Sequence, residues 1–478
     1  MNNNTDKNAA AVSYACIHEA LTLDEICKAV DGKAYGTAYC GATTVYADEI
    51  SSDTRSIVRG ALFIGIRGEN FNGNDFAEAA VKEYGAVCAV TDRILNDVPC
   101  IVVKDTRKAL LDLAAYFRCK FRVLVTGVTG SVGKTMTKEM VFLAMSSKHI
   151  CMKTLENKNN EIGLPFTLLN RLDRTKTMAV IEMGMSYFGE ISRLSHTAKP
   201  DICIITNIGY SHIGNLGSRE GILKAKLEIL NGASPDAPLI VNGDDDMLRN
   251  VSEKNNCHRV VLCGISNTNA DYRAENIVGT AESTSFDIIY KGNVFAKCTL
   301  PMAGKHFVID ALLAIAAACE AGCEIQSAAD MLKELRPTGL RQHFEKRGEQ
   351  TLIVDCYNAA PDSVIAAIDV LVDKIPEDDG RKICVLGDML ELGKMSEQLH
   401  REVGEYMAKS GVDMAVCVGD HARFIADSAV KNGMNCKYAA TKEEAVEYLR
   451  NTMRKDDVLL FKGSRGMKME KIIEALYG

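Results

Sequence analysis

Residues 121–140 read FRVLVTGVTGSVGKTMTKEM, an apolar segment followed by a glycine-rich turn and a helix-forming segment. The run Val-Leu-Val at 123–125 predicts a buried strand. Glycines let backbone amides surround a phosphate, and the positive N-terminus of the following helix points at the same anion. Lys134 is placed to reach the outer phosphates of a nucleotide, and the Thr135 hydroxyl is placed to ligate magnesium. The stretch therefore predicts a nucleotide site in a phosphate-loop ATPase domain.

The spacing of the glycines differs from that of the standard phosphate loop, in which four residues separate the first glycine from Gly-Lys. That first position is Val128 here, and the turn carries Gly127 and Gly130 instead. The stretch is therefore a variant of the motif, and the prediction rests on the order strand, glycines, lysine, threonine and helix. The residues expected to bind the nucleotide are Thr129, Gly130, Ser131, Val132, Gly133, Lys134 and Thr135.

The composition is that of a globular protein with several domains, because 478 residues exceed one hydrophobic core. The net charge of −7 argues against a nucleic-acid binder. No apolar run has membrane-spanning length and the polar start lacks a signal-peptide core, so we expect a cytoplasmic protein without an integral membrane segment. The 17 cysteines are scattered without a CxxC pair, which is typical of buried thiols in a reducing compartment.

The region before the phosphate loop, residues 1–120, predicts a small α/β domain. A helix capped by Thr22 is followed by strands at 62–66 and 85–90, with a helix at 76–84 between them. Polar stretches at 52–55 and 68–74 are either ordinary turns or parts of a substrate-anchoring surface. The residues proposed to bind substrate in this region are Ser52, Asp53, Thr54, Arg55 and Asn72.

Between residues 121 and 335, short β-branched segments alternate with helices, which predicts a doubly wound α/β domain with a parallel sheet. Strands are expected at 178–182, 201–207, 239–242 and 260–263, and an antiparallel edge at 270–301. Ligands of such sheets bind at the carboxyl ends of the strands. Glu182 is therefore a candidate magnesium ligand. On the next loop, Asn207 is expected to bind the nucleotide and His212 is a candidate metal ligand. The alternatives are a solvent-facing strand-end charge and an ordinary loop histidine.

Lys226 lies on the apolar face of a predicted helix at 218–230, with apolar residues at i−4, i−3, i+3 and i+4. A buried ammonium is costly unless it is paired or chemically altered. Lys226 therefore either extends to the edge of the helix or is held for function. Carbamylation by CO2 would convert it into a carboxylate-like anion suited to a second magnesium. Asn159 and Asn160 lie in a polar loop at 154–163 that is either a helix entry or a substrate contact.

Residues 336–478 predict a second, Rossmann-like α/β domain with strands at 352–355, 383–386, 414–418 and 458–461. The loops that follow these strands are polar or glycine-rich, and each is either an ordinary turn or part of a ligand site, since a parallel sheet places its ligands there. Across a cleft between the domains, Arg341 and Asp355 are candidates to contact the nucleotide. The proposed substrate contacts of this domain are Asn358, Ser464 and Arg465.

Several motifs together resemble the ATP-dependent Mur ligases. Those similar to the family's central domain are TGSVGKTMTKE, NNEIGLPFTLL, IEMGM, TNIGYSHIGNLGS and AKLEI. The stretch DTRSIVRGALFIGIRGENFNGNDF is similar to the amino-terminal uridine-binding domain of two members. The motifs that resemble the member adding a D-alanyl-D-alanine dipeptide are GDMLELG, DCYNAAP and KGSRGMKME.

The resemblance implies domains at 1–120, 121–335 and 336–478, and a monomer that uses ATP and two Mg²⁺. The implied substrates are UDP-MurNAc-tripeptide and D-Ala-D-Ala, joined through an acyl phosphate. It also implies roles for the candidate residues: Lys134 on the γ-phosphate; Thr135 and Glu182 on one magnesium; His212 and carbamylated Lys226 on the second; Arg341 and Asp355 on ATP; and the Asp53-Thr54-Arg55 region on the uridine diphosphate sugar.

The chain departs from the family pattern at 306–310, where His-Asn-x-x-Asn is replaced by His-Phe-Val-Ile-Asp, so no adenine contact is assigned to Phe307. Three alternatives stay open. One is a family member that adds a single amino acid, although its Asp-Asn-Pro motif is missing here. Another is a relative that extends folate or another amino-acid polymer. The third is a phosphate-loop NTPase that acts as a binding module.

Overall fold

The computed structural model describes residues 18–68, 70–251, 258–280, 282–336, 343–374 and 380–478. Within these ranges the chain forms three α/β domains, each built around its own sheet of five, nine or six strands. A two-stranded antiparallel ribbon precedes them in the amino-terminal part. None of the described helices has the length and apolar character needed to cross a membrane.

The amino-terminal domain has a five-stranded sheet in the order β2-β7-β6-β5-β4, parallel except for β2. Its helix α1 begins after Thr22, whose hydroxyl accepts from the backbone N–H of Glu25, as predicted. The elements are β1 Ala20–Thr22, α1 Leu23–Ala29, β2 Lys33–Tyr35, β3 Thr44–Tyr46, β4 Ile50–Ser51, β5 Leu62–Ile64, α2 Ala77–Lys82, β6 Cys88–Thr91, β7 Cys100–Val102 and α3 Thr106–Cys119.

The central sheet has the order β9-β10-β8-β11-β12-β13-β14-β15-β16. Its strands are parallel from β9 to β14, and β15 and β16 add the predicted antiparallel edge. The elements are β8 Leu124–Thr129, α4 Lys134–Met145, β9 Cys151–Lys153, α5 Gly163–Arg171, β10 Met178–Glu182, α6 Glu190–Ala198, β11 Ile202–Ile205, α7 Ile213–Leu216, α8 Arg219–Leu227, β12 Leu239–Asn242, β13 Val260–Gly264, β14 Tyr272–Gly279, β15 Thr284–Tyr290, β16 Asn293–Leu300, α9 His306–Glu320 and α10 Ile325–Met331.

Helices cover both faces of the central sheet, as a doubly wound fold requires. Helices α4, α9 and α10 share one apolar core with one face of the strands, and α5, α6 and α8 share a second core with the other face. Helix α3 joins this second layer, because it packs against α5 and α6. The last helix of the amino-terminal domain therefore anchors that domain to the central one.

The carboxyl-terminal sheet has the order β17-β18-β22-β19-β20-β21 and is parallel except at β17. The four predicted strands are present. The polar edge strand β17 and the mostly exposed strand β21 have no clear apolar pattern. The elements are β17 His343–Arg347, β18 Gln350–Asp355, α11 Pro361–Asp373, β19 Lys382–Gly387, α12 Ser396–Lys409, β20 Met414–Val418, α13 Ala422–Lys431, β21 Cys436–Ala439, α14 Lys442–Thr452, β22 Val458–Lys462 and α15 Glu470–Tyr477.

One glycine of the phosphate-loop stretch lies in a strand and not in the turn. Gly127 was predicted to belong to the turn, but β8 continues to Thr129 because both neighbouring strands pair with it there. A Cβ on Gly127 would lie 3.1 Å from side-chain atoms of Ile229 and Pro200. A glycine at this position therefore allows Ile229 and Pro200 to pack closely against β8. The turn itself begins after Thr129.

Candidate nucleotide site

A cavity of about 540 Å³ lies where the central strands end at their carboxyl side. It is bounded by the phosphate loop, by the loop after β10, and by the facing ends of β18 and β22 in the carboxyl-terminal domain. The predicted residues that line it are Ser131, Val132, Gly133, Lys134, Asn159, Asn160, Glu182, His212, Asp355 and Asn358. The structure thus brings together residues of the central and carboxyl-terminal domains that lie far apart in sequence, from Ser131 to Asn358.

The phosphate loop is held from behind by the loop after β11. The Thr206 hydroxyl donates to the Val132 carbonyl at 2.5 Å, and the Asn207 side chain accepts from the Val132 N–H at 2.9 Å. Gly133 then begins α4 with φ +83°, a conformation that favours glycine. Asn207, predicted to bind the nucleotide, therefore forms hydrogen bonds with the backbone of the phosphate loop in this structure.

Gly130 has φ +153° and no space for a side chain, because a Cβ would lie 1.8 Å from the Thr206 hydroxyl oxygen. We expect Gly130→Ala to displace the loop and to weaken ATP binding at least about tenfold, since a strained backbone residue costs about 1–3 kcal/mol. Gly279→Ala is the control, because a Cβ there meets nothing within 4 Å. Calorimetric titration with ATP checks the prediction, and equal affinities for the two variants would refute it.

Glu182 ends β10 as a buried carboxylate, 1% exposed, and not as a solvent-facing charge. It accepts from the Thr135 hydroxyl at 3.0 Å and from the Asn159 amide at 2.7 Å. The buried ammonium of Lys138 lies 3.5 Å away and also pairs with Glu139. The predicted ligands Thr135 and Glu182 are thus in contact.

These two side chains fit magnesium, which binds proteins through one or two carboxylates and otherwise through phosphate oxygens and water. Within the described ranges, no group of three or more His, Cys, Asp and Glu is arranged to hold a metal by itself. A magnesium ion here would therefore depend on the nucleotide for part of its coordination.

His212 and Lys226 were predicted to serve a second metal. His212 precedes α7 with φ +65° and lines the cavity, and its Nδ1 atom contacts the carboxylate of Glu391 in the carboxyl-terminal domain. Lys226 is 2% exposed. Burial lowers the pKa of its ammonium group well below the ordinary value, and the charge of Lys134 lowers it further. Burial of Lys226 confirms the position expected from the helical spacing, and an uncharged amine is the form that reacts with CO2.

Lys134 folds over its own loop, where its ammonium group donates to the carbonyls of Gly130 and Ser131 at 2.8 and 3.2 Å. These contacts place the charge at the mouth of the phosphate loop.

Several predicted residues lie outside the cavity lining. Thr129 is buried and donates to the Met183 carbonyl, and Ser464 is buried and accepts from the Leu390 N–H at 2.9 Å. The other contacts are Asp53 with Arg55, Asn72 with Asn74, and Arg465 with Glu470. Ser52 and Thr54 are half-buried and do not line the cavity either. Arg341 falls outside the described residues.

Four charged residues near the site were not proposed from the sequence. Arg107 lines the cavity from the amino-terminal domain and pairs with Glu161 at 3.8 Å. Lys462, at the end of β22, is buried and donates to the Asp355 carboxylate at 2.6 Å. Lys138 is the buried partner of Glu182 described above. Their contacts are long-range, and no local pattern indicates them.

The fourth is Asp310 on α9, which lines the cavity next to Gly133 and accepts from the Thr137 hydroxyl at 2.9 Å. Burial raises the pKa of the Asp310 carboxyl from 3.8 to about 7, against the opposing effect of the Thr137 hydrogen bond. At neutral pH this carboxyl therefore carries a proton in much of the population.

The raised pKa makes stability depend on pH. Above pH 3.8 the unfolded state loses the proton of Asp310, while the folded state keeps it up to about pH 7. The free energy of unfolding therefore falls across this interval and levels off above it. Asp310→Asn has no carboxyl at this position and so avoids the loss. The free energy of unfolding of the variant minus that of the unmodified chain should be larger at about pH 8 than at about pH 4, by up to about 4 kcal/mol. Urea unfolding at both pH values measures the gain. Asp330→Asn, at an exposed position on α10, should show no such gain.

Comparisons with known proteins agree with this geometry. The Mur ligase middle domain matches residues 128–318, and the Mur ligase, glutamate ligase domain matches residues 341–465. UDP-N-acetylmuramoyl-tripeptide–D-alanyl-D-alanine ligase of Bacillus subtilis is 39% identical over 434 residues, which cover 89% of this chain and 92% of that protein.

Two solved structures are similar over most of their length. A crystal structure of MurF from Acinetobacter baumannii has a TM-score of 0.87 at 30% identity, covering 96% of this chain and 99% of that one. MurF ligase from Thermotoga maritima in complex with ADP has a TM-score of 0.80 at 25% identity, covering 90% and 97%. With these matches in both sequence and structure, the chain belongs to the Mur ligase family.

Proposed function

We propose that this chain is an ATP-dependent ligase that joins D-Ala-D-Ala to UDP-MurNAc-tripeptide and so forms the UDP-MurNAc-pentapeptide precursor of peptidoglycan. The observation that carries the proposal is the shared cavity, in which the phosphate loop faces Asp355, Asn358 and Lys462 of the carboxyl-terminal domain. The names of the relatives that match nearly the whole chain supply the substrate class.

In the reaction, the terminal carboxylate of the tripeptide must approach the γ-phosphate of ATP in line with the bond that breaks. Both groups are anions and repel each other. Arg107, Lys134 and Lys462 line the cavity and supply positive charge for this encounter. The amides of the phosphate loop and the N-terminus of α4 bind the phosphates. Bound magnesium, held by Thr135 and Glu182, would neutralise charge on the transferred phosphoryl group.

The chemistry then takes two steps. A carboxylate oxygen of the tripeptide attacks the γ-phosphorus, the bond to the β-γ bridging oxygen breaks, and ADP leaves with that electron pair. The amine of D-Ala-D-Ala next attacks the carbon of the acyl phosphate, loses a proton, and phosphate departs with the carboxylate oxygen. Catalysis therefore rests on positioning and charge stabilisation.

Three further assignments belong to this proposal. Residues 1–120 bind the uridine diphosphate sugar, 121–335 bind ATP and 336–478 bind the dipeptide. Lys226 carries a carbamate that serves a second magnesium together with His212. Because ATP and UDP-sugars are cytoplasmic metabolites, the enzyme works in the cytoplasm, and we propose that it does so as a monomer.

The test is phosphate release from ATP and magnesium with UDP-MurNAc-tripeptide, with and without D-Ala-D-Ala. We expect release only with both substrates, and a product heavier than the tripeptide by the dipeptide less one water. Tripeptides with lysine or diaminopimelate as third residue are both supplied. Release that requires neither peptide would favour the NTPase binding module, and release with a single amino acid would favour another member of the family.

A further inference from the structure

The loop at 387–393, which follows β19, is fixed on the carboxyl-terminal domain. Its Met389 N–H donates to the Nε2 atom of the buried His400 at 3.0 Å, and its Leu390 N–H donates to the Ser464 hydroxyl at 2.9 Å. Hydrogen bonds from two different elements therefore set the direction in which the next residue, Glu391, projects.

The same loop is in contact with the central domain. The Gly214 N–H donates to the Glu391 carbonyl at 3.0 Å. A Cβ on Gly214 would lie 2.8 Å from that carbonyl oxygen and 2.9 Å from the Gly393 nitrogen, so the two backbones touch. Through this contact the loop reaches the segment that carries His212.

The Glu391 carboxylate lies against the Nδ1 atom of His212. His212 has φ +65°, and a non-glycine residue holds such a conformation only where its surroundings fix it. The imidazole is therefore held from the backbone side and from the ring side at once.

A neutral imidazole whose Nδ1 side faces a carboxylate presents the lone pair of its Nε2 atom to a ligand on the opposite side. Metal-binding histidines commonly have this arrangement, because the carboxylate fixes both the tautomer and the ring orientation. His212 lines the cavity that contains Glu182 and the phosphate loop. The pairing with Glu391 thus leaves Nε2 as the nitrogen available to a metal in that cavity.

We propose that Glu391 is a positioning residue that orients His212 toward a divalent cation, so that docking of the carboxyl-terminal domain completes the metal site. This inference rests on the proposed magnesium-dependent function. The carboxyl-terminal domain, which is proposed to bind the dipeptide, would then also align a metal ligand of the central domain.

The test uses Mn²⁺ as the metal probe, with free Mn²⁺ measured by electron paramagnetic resonance in the presence of protein and ADP. The variants are Glu391→Ala and the near-isosteric Glu391→Gln. Glu397→Ala is the matched control, because this glutamate of α12 is exposed and pairs with Arg401 away from the cavity. Loss of such an outer partner typically weakens metal binding 10–100-fold.

We expect Mn²⁺ affinity to fall about 10–100-fold in Glu391→Ala, to fall less in Glu391→Gln, and to stay unchanged in the control. Unchanged affinity in both Glu391 variants, with unfolding midpoints like the control's, would overturn the proposal, even if turnover drops. If the alanine variant does not fold, the glutamine variant decides. The titration needs no peptide substrate. Its result therefore tests the role of Glu391 even if the proposed peptide substrates are wrong.

Discussion

Replacement of Lys134 by methionine should lower the rate of phosphate release at saturating ATP by about a thousandfold, the usual cost of removing a group aimed at developing transition-state charge. The ammonium group lies at the mouth of the phosphate loop, 2.8 Å from the Gly130 carbonyl oxygen. From there we expect it to contact the γ-phosphate of bound ATP. Because charge on the transferred group changes during the reaction, the loss should appear mainly in kcat and less in KM for ATP.

Lys148→Met is the control for this variant, because Lys148 is an exposed lysine just beyond the other end of α4 and donates to the Gly322 carbonyl. Its kcat should stay within about twofold of the unmodified chain, as is usual for a surface change. A Lys134→Met variant that raises KM alone would show that the lysine only binds ATP.

Lys226→Ala should lose ligase activity by at least about a hundredfold, and short carboxylic acids such as acetate or propionate should restore part of it. Removal of one ligand or oriented charge from a metal site costs this much. Burial and the charge of Lys134 lower the pKa of the amine, and an uncharged amine reacts with CO2. A small carboxylate would occupy the space of the missing carbamate.

The control stands two residues earlier on the same helix. Lys224 is exposed, and its ammonium group lies 6.0 Å from the ring centre of Phe188. Lys224→Ala should keep its activity and show no response to acetate. Removal of CO2 from the buffer should lower the activity of the unmodified chain. A Lys226→Met variant with full turnover would contradict a carbamate role.

Much of the fold follows from local pattern. Apolar runs located the parallel strands, since strands buried on both faces must be continuously apolar. The helical spacing around Lys226 placed that lysine in the core, where it lies. The phosphate-loop stretch correctly indicated a strand, a turn and a helix. Gly127 lies in β8 and not in the turn, because a glycine is required there by close packing against Ile229 and Pro200.

The site was less predictable because its contacts join distant segments. Glu182 was recognised at a strand end, but its partner Lys138 lies on α4, where no local pattern distinguishes it from an exposed lysine. The pair His212–Glu391 spans two domains. Thr129 and Ser464, both predicted to contact ligands, donate their hydroxyls to backbone carbonyls in this structure. The sequence does not distinguish a hydroxyl that bonds to the backbone from one that faces a ligand.

The measurement that tests phosphoryl activation of the substrate most directly is the fate of a carboxylate oxygen. UDP-MurNAc-tripeptide labelled with ¹⁸O in its terminal carboxylate is incubated with ATP, magnesium and D-Ala-D-Ala, and the released phosphate is analysed by mass spectrometry. We expect one labelled oxygen in each phosphate that derives from a labelled carboxylate oxygen, because the acyl phosphate breaks at the carbon. Phosphate without label, formed together with ligated product, would contradict the acyl-phosphate route and the role given to the cavity.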